Sequence, residues 1–203
     1  VHLSNTSLKS SIDFWTTTVG LKLRKTNAKV AELGTNNRTL VVIHQTANKP
    51  YQKGHSGLYH LAIHAPNAAA FASMVNRLIV QKHPFSPVDH TMSKSVYFDD
   101  PDGINIEIAL ETPERFKRVI STGGLRIEGT DGVVRSASDQ LDLEEVLSHL
   151  SSDAKTSPIA NDAFIGHVHL YDNDDVKSNT FYKKMGFIQF NFLPEYAYAD
   201  VGA

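Results

Sequence analysis

The amino-acid sequence predicts an α+β protein built from repeated β-α-β-β-β units. The first observation is an internal repeat, in which Val1-His2-Leu3 recurs as Val168-His169-Leu170. The same offset carries Phe14 onto Phe181, so the match extends beyond one tripeptide. The second observation is that short strand-like runs alternate with a single helical stretch in each copy.

The first unit begins with an apolar strand at Val1-His2-Leu3, followed by polar residues that favour turns and N-caps. Leu8, Ile12 and Trp15 then recur at helical spacing, and Gly20 fits the end of that helix. Three strand-like runs complete the unit: Leu21–Leu23, Val30–Leu33 and Thr39–Ile43.

A more diverged second unit begins with a strand at Tyr59–Ile63 and continues with a helix over Ala68–Leu78. Two strands follow, at Ser95–Phe98 and Ile104–Ile108, and the turn residues Asp99–Gly103 join them. The strand expected between them and the helix is poorly marked. Residues 1–110 are therefore predicted to hold two paired units that form an N-terminal domain.

Residues 111–164 fit neither unit and are rich in Gly, Ser and Thr, so we predict a linker with one helix, at Leu141–Leu150. Residues 165–203 form a third unit that is incomplete, because only about two strands fit after Gly186. An unfinished unit leaves a sheet edge and apolar surface exposed, which favours association with another chain, for example as a homo-oligomer.

Composition narrows the function classes. The 203 residues include 20 basic and 22 acidic side chains, and a net charge of −2 is no electrostatic footprint for nucleic acid. No apolar run approaches the ~18 residues of a membrane span, and no signal-peptide pattern is present, so we expect a soluble, cytoplasmic protein. With ten histidines and no cysteine, metal chemistry must use imidazoles and carboxylates.

Strand alternation places the candidate metal ligands. Successive side chains of a strand point to alternate faces of the sheet, so His60 faces away from Leu61, and Glu107 faces away from the isoleucines on either side of it. Both should therefore face the concave side of the sheet. His167 and His169 share one face in the same way. Two imidazoles and one carboxylate suit a divalent transition metal with open positions, such as non-haem Fe(II).

Three segments carry a family resemblance: Leu58–Ile63, Tyr97–Ile108 and Ile165–Leu170. They resemble the vicinal oxygen chelate superfamily, which includes glyoxalase I, bleomycin-resistance proteins and extradiol dioxygenases. The arrangement is most similar to the bacterial catechol-2,3-dioxygenase-like group, whose members have four units. The resemblance implies the glyoxalase/extradiol dioxygenase fold, in which paired units form rolled mixed sheets around one divalent metal.

The resemblance also implies which residues bind the metal. In the dioxygenases the active pair is units three and four, so His167 takes the first ligand position and its partners fall in a fourth unit that this sequence does not contain. His60 and Glu107 are the other candidates, but they would need partners from unit one, which offers no carboxylate near His44. The N-terminal pair is therefore expected to be a structural half.

The favoured function is Fe(II)-dependent extradiol cleavage of a small catechol-type aromatic substrate by dioxygen, with Mn, Zn or Ni as alternative metals. His169 is the predicted acid or base, and His64 and His90 are candidates for the same supporting work. Two other functions stay open: a non-catalytic small-molecule-binding protein, and a metal-dependent isomerase or lyase of the glyoxalase I type, which the linker fits poorly.

Overall fold

The structure is a computed structural model that describes residues 1–151 and 158–202. Within this part of the chain, strands dominate and four α-helices pack beside them, so the predicted α+β class is confirmed. No helix in the described ranges combines the length and apolar character needed to cross a lipid bilayer.

The first unit forms a mixed four-stranded sheet in the order β1-β4-β3-β2. Its strands are β1 (His2–Asn5), β2 (Lys22–Thr26), β3 (Val30–Gly34) and β4 (Thr39–Gln45). Helix α1 (Leu8–Phe14) begins at Ser7, whose side chain accepts a hydrogen bond from the backbone N–H of Ser10. A π-helical turn over Trp15–Val19 ends at Gly20, whose φ of 88° is left-handed and suits glycine.

The second unit supplies most of a six-stranded sheet in the order β12-β6-β7-β8-β5-β13. Its elements are β5 (Gly57–His64), α2 (Ala68–Val80), β6 (Ser86–Asp89), β7 (Ser93–Asp99) and β8 (Asn105–Glu111). The poorly marked strand is β6, which is short and contains Pro87. As in the first unit, the first strand of the unit runs parallel to its last, here β5 beside β8.

The segment between the second and third units contains more structure than a linker with one helix. Its elements are β9 (Phe116–Ile120), β10 (Arg126–Gly129), β11 (Val134–Ser136), β12 (Asp139–Gln140) and α3 (Leu143–Ser148). Strands β9, β10 and β11 form a small antiparallel sheet, and β12 pairs with β6. These strands are short and charged, as where Glu128 pairs with Lys117 and Arg118, so the hydrophobic pattern does not mark them.

The third unit contributes β13 (Phe164–Tyr171), α4 (Asp175–Lys184), β14 (Ile188–Leu193) and β15 (Tyr198–Gly202). Strand β13 pairs antiparallel with β5 and so extends the sheet of the second unit. Strands β14 and β15 form a separate hairpin. Association with another chain stays a prediction. It is in keeping with several large apolar side chains of this unit that are exposed: Val168, Leu170, Phe181, Ile188 and Phe190.

Units one and two share one hydrophobic core, in which Trp15, Leu33, Phe71 and Ile106 are fully buried. The turn at residues 99–103 also joins them through polar contacts. Asp100 accepts a hydrogen bond of 2.7 Å from Nδ2 of Asn5. Asp102 accepts hydrogen bonds from the backbone N–H and the hydroxyl of Thr6, at 2.7 and 2.6 Å. The turn therefore has a structural role between the units.

Candidate metal centre

Three side chains with metal-ligand chemistry meet on adjacent strands of the six-stranded sheet. His60 lies on β5, Glu107 on β8 and His167 on β13. Oε2 of Glu107 is 3.0 Å from Nε2 of His60 and 3.0 Å from Nε2 of His167. The two Nε2 atoms are 3.2 Å apart. His60 and Glu107 are buried, whereas 44% of the His167 side chain is exposed, so the cluster is open on one side.

The strand register explains why these side chains meet. Ala62 on β5 is opposite Glu107 on β8 and also opposite His167 on β13, so all three residues belong to one row across the sheet. His60 lies two residues from Ala62 and therefore on the same face. Strand alternation alone predicts that His60 and Glu107 share a face, but no local pattern indicates that β13 is the neighbour of β5.

The donor set fits a divalent metal. In an octahedral site with metal–ligand bonds of ~2.1 Å, neighbouring ligand atoms are ~3.0 Å apart. The three donor–donor distances of 3.0, 3.0 and 3.2 Å match one face of such a site. Burial raises the pKa of Glu107, but hydrogen bonds with His167, His60 and Ser95 outweigh burial and hold it well below its ordinary value. The carboxylate is therefore charged and ready to bind a cation.

A second layer of side chains orients two of the three donors. The hydroxyl of Ser95, which is fully buried on β7, donates a 2.6 Å hydrogen bond to Oε1 of Glu107 and leaves Oε2 facing the histidines. Nε2 of His64 lies 3.1 Å from Nδ1 of His167. Nδ1 of His64 lies 3.4 Å from Oε1 of Glu111. Partners of this kind fix the orientation of a metal-binding ring.

Gly166 makes the contact between His64 and His167 sterically feasible. A Cβ atom on residue 166 would lie closer than 3.0 Å to ring atoms of His64. The pairing of β13 with β5 also shifts register at this point, because Ile165 and His167 oppose consecutive residues and Gly166 is left between them. A glycine is needed here to admit the His64 ring beside the backbone.

Tyr97 and His90 form a hydrogen-bonded pair beside Glu107. Nε2 of His90 is 3.0 Å from the Tyr97 hydroxyl, and Nδ1 of His90 is 2.6 Å from the carbonyl oxygen of Ala137. Burial raises the pKa of Tyr97, and the charge of Glu107 raises it further, so the phenol stays neutral. His90 is one of the candidates predicted from the sequence, whereas Tyr97 is not. The signal was available, because Tyr97 lies directly opposite Glu107 in the pairing of β7 with β8.

His169 lies on the same side of the sheet as the cluster. Its ring centroid is 4.9 Å from that of His60 and 4.8 Å from that of Tyr59. Burial, followed by the charges of His60 and His167, lowers the pKa of His169 to about 4. Near neutral pH its ring is therefore uncharged and can accept a hydrogen bond.

The family resemblance implies different partners for these residues. It predicts ligands from a fourth unit for His167, and ligands from unit one for His60 with Glu107. In the structure the three residues are partners of one another, because β13 adds to the free edge of β5. The expectation that His60 and Glu107 belong to a structural half stays a prediction, and their contacts with His167 give them a candidate role beside it.

The chain is similar to several proteins of known sequence or structure. Over 194 residues the chain is 29% identical to the catechol-2,3-dioxygenase of Bacillus subtilis (strain 168). The aligned region covers 94% of this chain and 64% of that protein. The chain thus spans less than two thirds of that relative. A glyoxalase/dioxygenase structure from Nostoc punctiforme is 26% identical in sequence, with a TM-score of 0.47. The match covers 55% of this chain and 88% of the Nostoc chain.

A glyoxalase/bleomycin resistance protein/dioxygenase structure from Alicyclobacillus acidocaldarius is 14% identical, with a TM-score of 0.47 and the same coverage of 55% and 88%. The family model described as Glyoxalase/Bleomycin resistance protein/Dioxygenase superfamily matches residues 1–108, which hold units one and two. This match confirms the family that the strand motifs predicted. The chain belongs to the glyoxalase/bleomycin resistance protein/dioxygenase superfamily.

Proposed function

We propose that His60, Glu107 and His167 bind Fe(II) and that the chain takes part in extradiol cleavage of a catechol-type substrate by dioxygen. The observation that carries the proposal is the donor face of two imidazoles and one carboxylate, with separations of 3.0 to 3.2 Å. This set is typical of non-haem iron oxygenases, because it leaves other coordination positions open. The likeness to a catechol-2,3-dioxygenase supports the same reaction class.

Bound Fe(II) supplies open positions for both substrate oxygens and for dioxygen, and it carries charge between them. The three donors lie on one sheet face, so a metal held by them would be reached by substrate from the side away from the strands. Exposure of the His167 side chain gives a small aromatic molecule access from that direction. The partly exposed ring of Tyr59 lies 4.9 Å from that of His60 and 4.4 Å from that of Tyr171, so this pair offers apolar surface to an aromatic ring near the cluster.

Tyr97 and His90 provide a path for the substrate proton. Nδ1 of His90 faces a carbonyl oxygen, which only accepts, so Nδ1 carries the ring proton and Nε2 is the acceptor. The Tyr97 hydroxyl then donates to Nε2 of His90. A catechol hydroxyl near Tyr97 can pass its proton through the phenol to the imidazole. His169 is a second proton acceptor, uncharged near neutral pH and close to His60.

The test has a metal-binding arm and an activity arm. We expect the chain to bind Fe(II) under anaerobic conditions with one tight site, and Glu107→Gln or His167→Gln to weaken that site by at least roughly tenfold. His83→Gln is the matched control, because His83 contacts the carbonyl oxygen of Asp99 and lies outside the cluster. Addition of catechol and air to the loaded protein should then produce the yellow ring-opened product.

Each arm has an outcome that contradicts the proposal. If Glu107→Gln and His167→Gln bind Fe(II) as tightly as the unaltered chain, the assigned metal site is wrong. Tight metal binding without turnover of any catechol would favour a non-catalytic binding protein. Turnover of a glutathione hemithioacetal in place of catechol would move the chain to the isomerase or lyase class.

A further inference from the structure

A second histidine pair lies on the sheet of the first unit. His2 is on β1 and His44 is on β4, and Nδ1 of His2 is 2.9 Å from Nε2 of His44. Their rings are stacked, with centroids 5.1 Å apart and an interplanar angle of 21°. His2 is exposed and His44 is half-buried, so both are within reach of a small solute.

These two positions repeat the strand register of the proposed metal centre. In unit two, Glu107 lies two residues beyond Asn105, the partner of His60 across the parallel pair β5 and β8. In unit one, His44 lies two residues beyond Val42, the partner of His2 across the parallel pair β1 and β4. His2 and His44 are therefore placed relative to each other as His60 and Glu107 are.

The open side of the pair is also equivalent. In unit two the outer edge of β5 is covered by β13, which brings His167. In unit one β1 is the edge of its sheet and, within the described ranges, pairs with β4 alone. The third donor position beside His2 and His44 therefore faces solvent, where water can fill it.

The chemistry of the His2–His44 pair favours other metals than the Fe(II) proposed for the cluster of His60, Glu107 and His167. Two imidazole nitrogens 2.9 Å apart match positions at right angles around a metal with bonds of ~2.1 Å, as in octahedral or square-planar sites. Imidazole donors without a carboxylate suit Zn(II), Ni(II) and Cu(II), which bind nitrogen more tightly than Fe(II) does. Ser4 on β1 and Thr46, which directly follows β4, have hydroxyls 2.6 Å apart and add neutral oxygen atoms two residues along the chain from His2 and His44.

We infer that His2 and His44 form a second metal-binding site, which takes Zn(II), Ni(II) or Cu(II) through two imidazoles with water in the remaining positions. The site is separate in sequence and sheet from the proposed iron centre. It does not depend on ring-cleaving activity, so the His2–His44 site and the proposed iron centre can be tested separately.

The experiment measures retention of the untagged, full chain on immobilised Ni(II), followed by titration with Zn(II). We expect the unaltered chain to be retained, and His2→Gln and His44→Gln each to elute earlier than the unaltered chain. In solution each variant should lose roughly tenfold or more in Zn(II) affinity, because one imidazole no longer benefits from the effective concentration of its neighbour. His55→Gln, a change at an exposed loop histidine, should elute with the unaltered chain.

A second measurement follows the imidazole NMR signals during the Zn(II) titration. Signals of His2 and His44 should move together, and His44→Gln should abolish the shift of His2 while Glu107→Gln leaves it intact. Far-ultraviolet circular dichroism checks that each variant is folded. Equal retention of His44→Gln and the unaltered chain, or independent movement of the two signals, would overturn the assignment and leave a simple hydrogen-bonded pair.

Discussion

Nε2 of His64 lies 3.1 Å from Nδ1 of His167, which connects the last residue of β5 to the exposed member of the metal cluster. If Nε2 of His167 binds a metal, its Nδ1 must carry the ring proton and donate a hydrogen bond to Nε2 of His64. Burial, followed by the charge of His167, lowers the pKa of His64 to about 4, so His64 is an uncharged acceptor near neutral pH. Its own proton then faces Glu111.

Replacing His64 tests this orienting role. We expect His64→Leu, which cannot accept the His167 proton, to weaken Fe(II) binding by roughly 10- to 100-fold. His64→Gln keeps an accepting oxygen and should lose less. Calorimetric titration with Fe(II) under anaerobic conditions gives both affinities. Equal affinities for the Leu and Gln variants would show that the contact with His167 contributes no orientation.

Gly166→Ala tests the space that the His64 ring occupies. The new methyl group collides with that ring, so we expect a loss of roughly 1–3 kcal/mol in the free energy of unfolding, together with weaker metal binding. His64→Ala added to Gly166→Ala removes the collision, and the double variant should be more stable than the sum of the single changes predicts. Urea unfolding of the four proteins measures this coupling. Strict additivity would contradict the steric explanation.

Ser95→Ala tests the hydrogen bond that fixes the carboxylate of Glu107. Without the 2.6 Å hydrogen bond to Oε1, the carboxylate can rotate, and we expect metal affinity to fall roughly tenfold. Ser93→Ala on the same strand is the matched control, because residue 93 is partly exposed and pairs with Glu111. Metal titration of both variants decides the point, and a similar small effect in both would argue against a specific role for Ser95.

Asp100→Ala tests the junction between units one and two. The change leaves Nδ2 of Asn5 and the backbone N–H groups of Asp102 and Ile104 without their acceptor, at a cost of roughly 2–4 kcal/mol. Asp99→Ala, in the same turn but exposed, should change stability by about 0.5 kcal/mol or less. Thermal and urea unfolding compare them. Equal stability of the two variants would mean that the buried contacts of Asp100 do not hold the units together.

The sequence by itself determined the unit and the faces of its strands. Repetition of Val-His-Leu revealed the β-α-β-β-β arrangement, and the period of two along a strand placed His60 and Glu107 on one side of the sheet. These conclusions needed only neighbouring residues. The short strands β9 to β12 were missed for the same reason, since their charged sequences have no hydrophobic period.

Tertiary structure alone decided which strands became neighbours. His60 and His167 are 107 residues apart, and nothing in local sequence states that β13 adds to β5 while the edge of β1 stays open. That choice depends on edge hydrogen bonds and on packing of the whole chain, which no local pattern encodes. The identity of each candidate ligand was therefore predictable from the sequence, whereas their assembly into one cluster was not.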